Sequence, residues 1–219
     1  MKYPDADQLV RSYLDIKRRL LDSGWADEID WQDDLDFQEV TESDFLRETA
    51  WVVLSAGMAE RVIQVKFPMI TEAFCDWSSA DAIVRDRLAI RRKALTVFNH
   101  EAKIGSILEI AWMVSKSGFP RVKECIARER EQFLAKLPYV GPVTALHLAK
   151  NLGLDVVKPD RHLVRIAETA GYDSAAALCS RIADIVGDRV SVVDLVLWRF
   201  ATQERRYRDY FLSPIGIDR

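Results

Sequence analysis

The sequence predicts an all-α protein, and three observations carry that prediction. Apolar residues recur at helical spacing along most of the chain, as in Ile104, Ile107, Leu108 and Ala111, and again in Val122, Cys125, Ile126 and Phe133. The sustained apolar–polar alternation of a half-buried strand is hard to find. Glycine and proline clusters punctuate the periodic stretches at 117–120 ("SGFP"), 137–142 ("LPYVGP"), 153–160 ("GLDVVKPD") and 171–174 ("GYDS"), ending one helix and starting the next.

The first element, "MKYPDADQLVRSYLDIKRRLL", mixes charged and apolar residues and lacks the uninterrupted apolar core and small-residue cleavage site of a secretory signal. No apolar run in the chain is long enough to cross a membrane, so a cytoplasmic protein is expected. Next comes the one compositional outlier, "DEIDWQDDLDFQE" at 27–39, which reads as a solvated loop. "VTESDFLRETAWVVLSAGMAERVIQ" opens with Thr, Ser and Asp as capping residues and continues as an apolar helix. Near the C-terminus "SVVDLVLWRFAT" is apolar on most sides and predicts a buried helix. No internal repeat or low-complexity tract interrupts this order.

A chain of 219 residues, 49% hydrophobic and 30% charged, is of ordinary globular composition and can divide into two small lobes around a cleft. Its three cysteines, Cys75, Cys125 and Cys179, are odd in number and never at metal-ligand spacing. Neither a disulfide framework nor a zinc or iron-sulfur site is expected, only buried thiols. The net charge of −3 hides an asymmetry. Residues 1–60 hold 15 acidic and 6 basic side chains, the remainder 19 and 25, so most of the chain is mildly basic.

The stretch "LAKLPYVGPVTALHLAKN", 134–151, sets a tight corner between two helices. Pro138 fixes its own φ and drives Leu137 out of the helical region, while Gly141 permits a backbone geometry closed to side chains. Pro142 suits the first helical position, leaving the amides of Gly141, Val143 and Thr144 free at a helix N-terminus. Free amides and the helix dipole make an anion site, with phosphate as the natural occupant. Taken by itself, the corner is equally a plain helix turn stabilised by prolines.

The pattern L-P-x-V-G-x-x-T-A, followed by D-x-H at the start of a further helix, resembles the helix-hairpin-helix DNA glycosylase superfamily of endonuclease III and the oxidised-guanine and alkylpurine glycosylases. Here it is carried by Leu137, Pro138, Val140, Gly141, Thr144 and Ala145, then Asp160 and His162. Upstream, "WVVLSAGMAERV" and "FNHEAKIGSILEIA" are similar to two further helices of that family, so the resemblance spans residues 44 to 170. It implies a central helical lobe at 46–154 containing the hairpin, and a second lobe of 1–45 plus 155–219 with the aspartate at its start.

The resemblance also implies roles. Asp160 would be the catalytic carboxylate, stabilising an oxocarbenium-like transition state at the sugar and orienting or deprotonating a water, while also able to cap its helix. Members that also cut the backbone carry a lysine where this chain has Val143, and a valine is no nucleophile, so a monofunctional enzyme is expected. Lys150 and Lys158 are near in sequence but read as solvated or phosphate-facing. Gly141, Val143, Thr144 and His162 would meet DNA phosphates, His162 being equally readable as a surface residue. Backbone carbonyls of Ala135, Leu137 and Val140 match those that hold a monovalent cation in the family. No iron-sulfur cluster, zinc or other cofactor is expected.

Extruding a base requires a wedge to fill the gap. Gly57 stands where endonuclease III has its wedge glutamine, which makes Met58 the candidate, with Glu60 and Arg61 beside it. Trp25 and Trp31, near Phe37, offer stacking faces for the base, and Asp33, with Asp30 and Asp34, offers acceptors for its edge or for an attached sugar. An alkylated purine and a glucosylated hydroxymethylcytosine of phage DNA both suit such a set, the second implying defence in place of repair. The expected partner is double-stranded DNA carrying a modified base, bound by a monomer. Two rival readings are a helix-hairpin-helix DNA-binding module without catalysis and an all-α scaffold whose acidic N-terminus binds a protein.

Overall fold

The computed structural model describes residues 5–212. In chain order its helices are α1 (Ala6–Leu20), α2 (Ala26–Asp34), α3 (Glu42–Ser55), α4 (Glu60–Ala73), α5 (Ala80–Arg85), α6 (Arg87–Val97), α7 (Glu101–Ser117), α8 (Phe119–Glu129), α9 (Glu131–Leu134), α10 (Pro142–Asn151), α11 (Arg161–Ala170), α12 (Ala175–Val186) and α13 (Val190–Gln203). Among the described residues there is no strand, and the protein is all-α as its periodicity predicts. Among the described residues no helix is long and apolar enough to cross a membrane.

The chain forms two compact units, one of Asp36–Leu152 and the other of the chain before and after it. In the outer unit α13 packs against α1, α2, α11 and α12, and Ser191 to Leu197 are all buried, as the apolar run at 191–202 predicts. Tyr13, Ile16, Ile166, Ile182 and Val196 are fully buried around it. Each such aliphatic side chain contributes about 1.5–3 kcal/mol relative to an exposed one.

Arg189 closes the outer unit where the chain leaves and re-enters it. Its guanidinium donates to the carbonyls of Asp33 (2.8 Å), Leu35 (2.6 Å) and Gly153 (2.8 Å). These are the last carbonyls of α2 and the first after the central unit, and one cation satisfies them together. The neighbouring Asp188 accepts from the hydroxyl of Tyr13 and from Lys17 at 2.8 Å, tying the same corner to α1.

The acidic stretch at 27–39 is not a solvated loop. It folds as α2, followed by a single 3-10 turn at Phe37–Glu39. Ile29 and Gln32 supply a buried face, Asp27 and Glu28 favour the positive helix N-terminus, and the intervening carboxylates mask a short apolar stripe. Nor are the thiols uniformly buried: Cys179 is, whereas Cys75 and Cys125 are half-buried.

In the central unit α3 packs against α7, α10 and α4. Thr41 and Asp44 start α3 with a reciprocal capping box, and the helix stops at Ser55. After α4 the chain makes a left-handed turn over Cys75, Asp76 and Trp77, with φ of 57°, 51° and 56°. What holds it is Trp77, 1% exposed, stacked 4.8 Å from Phe74 and donating its indole N–H to Thr71 at 2.9 Å.

Candidate functional site

The corner at 134–151 is a helix-hairpin-helix, with α9 entering, α10 leaving and seven residues between. Leu137 accepts the Val140 N–H at 3.0 Å, closing the turn over Pro138 and Tyr139. Pro142 opens α10, and the amides of Gly141, Val143 and Thr144 find no acceptor among the described residues. That part of the sequence reading stands, since the first amides of a helix lack intrahelical partners. At the other end of α10, Asn151 donates to Glu48 of α3 at 2.9 Å, anchoring the hairpin's second helix to the unit's central one.

The strained residue differs from the one expected. Gly141 has φ −89° and ψ 178°, extended backbone open to any residue, and a Cβ built there meets nothing within 4 Å. The positive φ falls on Tyr139, at 66°. With Pro138 and Tyr139 at the two central positions of the turn, the positive φ at Tyr139 is that of a type II turn, a place that usually takes glycine. The carbonyls of Ala135 and Val140 accept no N–H from any described residue, and Leu137 keeps a second lone pair beside its one bond, so all three retain capacity for a cation.

Asp160 sits at the N-cap of α11 with one oxygen, Oδ1, accepting from the amides of His162 (2.8 Å) and Leu163 (3.0 Å). Its Oδ2 makes no hydrogen bond to any described residue. The cap thus consumes half the carboxylate and leaves the other half available at the positive end of a helix. The segment leading to it is pinned to α13 twice. Asp155 caps that helix by accepting from Ser191 N–H at 2.8 Å, and Asp194, 1% exposed, accepts from Lys158 N–H at 2.6 Å.

No protein-family model matches the chain, and no curated protein does. Among solved structures it is similar to the 8-oxoguanine glycosylase/lyase of Methanocaldococcus jannaschii, whose crystal structure is in complex with a 15mer DNA containing 8-oxoguanine. The two are 20% identical with a TM-score of 0.58, over 90% of this chain and 98% of that one. The fold is that of a DNA glycosylase.

The other residues singled out from the sequence lie in both units. Met58, 40% exposed, lies in the turn between α3 and α4, just after Gly57 at φ 71°. His162 follows Asp160 on α11 and is half-buried; its ring packs edgewise on Tyr207 at 5.5 Å and its Nδ1 has no partner among the described residues. Burial holds its pKa below the ordinary imidazole value, against the pull of Asp160. Trp31 and Asp33 are exposed on α2. Trp25 is half-buried, with one ring face covered by the Arg199 guanidinium at 4.0 Å.

Sequence reasoning passed over Arg199, Asp194 and Lys103. Arg199 lies between Trp25 and Trp198 and bonds both oxygens of Glu28, at 2.5 and 2.8 Å. A charge in the middle of an otherwise apolar helix was the available signal for the first two, because such a group stays buried only when partnered. Lys103 carried a similar signal in α7.

Proposed function

We propose that the protein is a monofunctional DNA glycosylase: it hydrolyses the N-glycosidic bond of an extruded, modified base and leaves an abasic site. The observation that carries this reading is the divided carboxylate of Asp160, capped through Oδ1 and uncommitted at Oδ2, in a chain with a DNA glycosylase fold. As the base departs with the bonding electrons, positive charge builds on the sugar. A fixed carboxylate stabilises that charge, and Oδ2 can take a proton from the water whose oxygen bonds C1′.

The hairpin supplies the grip. Its unpaired amides suit a phosphate, and Gly141, whose missing side chain would touch no protein atom, leaves the backbone open to close approach. A monovalent cation on the carbonyls of Ala135, Leu137 and Val140 would add charge to the same grip. His162 is proposed to touch a backbone phosphate from the first turn of α11.

Lyase chemistry needs an amine to attack the sugar, and the position that resembles the family's lysine is Val143, 48% exposed. The similar archaeal enzyme is named a glycosylase/lyase, so on this point the two chains are proposed to differ. Met58 is proposed as the wedge. Trp31 offers the base a freer stacking face than Trp25, one face of which Arg199 already covers. Asp33 is proposed as an acceptor for its edge.

The test is to incubate the protein with separate pools of undamaged, alkylated, deaminated, oxidised and phage-modified DNA, and to identify released bases by mass spectrometry. Release from one pool, giving sites that break only after alkali, is expected. Binding to every pool with release from none would leave a helix-hairpin-helix binding module.

A further inference from the structure

Lys103 is 1% exposed, among the largest fully buried side chains of the protein. Burying an ammonium costs several kcal/mol unless it is well bonded, so its partners are informative. Nζ donates to the carbonyls of Leu54 and Ala56, each at 2.6 Å. These lie at the end of α3, and the next residues are Gly57 and the exposed Met58. The ammonium also faces aromatic rings, with centroids at 5.7 Å for Tyr139 and 5.8 Å for Phe98.

Tyr139 is the strained hairpin residue, half exposed, its ring meeting His100 edge-on at 5.9 Å. Holding a non-glycine residue in the left-handed region costs on the order of 1–2 kcal/mol, and such a conformation persists only where its surroundings impose it. A helix end next to solvent needs no buried cation, because water satisfies its carbonyls. This one ammonium touches both the turn that carries Met58 and the corner that carries the free amides of Gly141, Val143 and Thr144.

We propose that Lys103 is a positioning residue that locks the Met58 turn to the hairpin through Tyr139, so that a phosphate seated at the corner aligns Met58 for insertion into the duplex. The inference rests on the proposed glycosylase reading. Lys103 touches no DNA and acts only through the segments it joins. A displacement of about 1 Å at an inserting or reacting group can cost on the order of 100-fold, so a lost tie is measurable.

The experiment uses the full chain and duplexes carrying 2-aminopurine, whose fluorescence rises on unstacking, with binding followed by anisotropy. Lys103→Met is expected to bind with near wild-type affinity and salt dependence yet lose most of the unstacking signal. In a Met58→Ala background the same substitution is expected to change unstacking no further, because its route is already gone. Tyr139→Gly, which relaxes the backbone and leaves both carbonyl bonds of Lys103 in place, is expected to lower unstacking in the same direction, and it carries the test if Lys103→Met does not fold. Unstacking per bound complex equal to wild type in these variants overturns the inference, as does an undiminished effect of Lys103→Met in the Met58→Ala background. A wild type that binds duplex without unstacking it also overturns the inference, whereas a wild type that binds no DNA removes the proposed function itself.

Discussion

Replacing Asp160 separates its two jobs. Asn retains a carbonyl oxygen for the amides of His162 and Leu163, and Asn and Asp are equivalent N-caps, so Asp160→Asn loses only the charge–dipole part, about 0.3–1 kcal/mol. Asp160→Ala loses the cap as well, about 0.5–2 kcal/mol. In a domain of this size 1 kcal/mol moves Tm by about 2–4 °C, so Asn should sit within a few degrees of wild type and Ala below it. Base release should not follow that order. Removing one preorganised group aimed at transition-state charge costs about 100- to 1000-fold, and both variants lack the charge, so both should fall at least that far. The assay is single-turnover release of the base identified from the modified-DNA pools, beside thermal unfolding and DNA affinity. Asp160→Asn turning over within about tenfold of wild type, or activity that tracks Tm across the pair, would refute the catalytic role.

Three further outcomes are expected. Gly141→Ala should leave Tm unchanged or raised, since the added methyl meets no protein atom and the unfolded chain loses freedom worth about 0.4–1 kcal/mol; DNA binding should weaken by about 1.5–3 kcal/mol, the scale of a hydrogen bond to a charged group. Asp76→Gly relieves the middle residue of the left-handed turn, worth about 1–2 kcal/mol, against about 0.4–1 kcal/mol for the freer unfolded chain, so a small net rise in Tm is expected and a lower Tm would count against strain there. Burial lowers the His162 pKa below its unfolded value of 6.5, so its contribution to stability is complete above that pH and is lost as the pH falls through the window beneath it. A His162→Gln variant should therefore show a flatter Tm profile on acidification than wild type, and parallel profiles would exclude the linkage.

Much of the helical layout was legible in sequence because its causes are local. Thr41 and Asp44 form a capping box three residues apart, and Pro142 opens α10 by what its ring does to its own backbone. Where local signals conflict, the sequence misleads: five carboxylates between residues 27 and 34 outweigh Ile29 and Gln32 and predict a loop, whereas the chain forms a helix there. At the corner the need for a turn was plain. Which residue would bear the positive φ was not, because glycine is the habitual bearer and the chain places a tyrosine there.

By itself, then, the sequence determined the all-α class and the breaks between most helices, which depend on residues within a few positions of one another, and it showed a proline-glycine corner followed 19 residues after Gly141 by an aspartate. Only the tertiary structure decided what the buried charges do. Lys103 meets the carbonyls of Leu54 and Ala56 across 49 and 47 residues of chain, Arg199 meets Glu28 across 171, and the buried carboxylate of Asp194 accepts from the backbone amide of Lys158 across 36. A charge inside an apolar helix announces that it must have a partner, because leaving it bare costs too much, but which of many distant carbonyls or carboxylates it finds depends on how the helices pack.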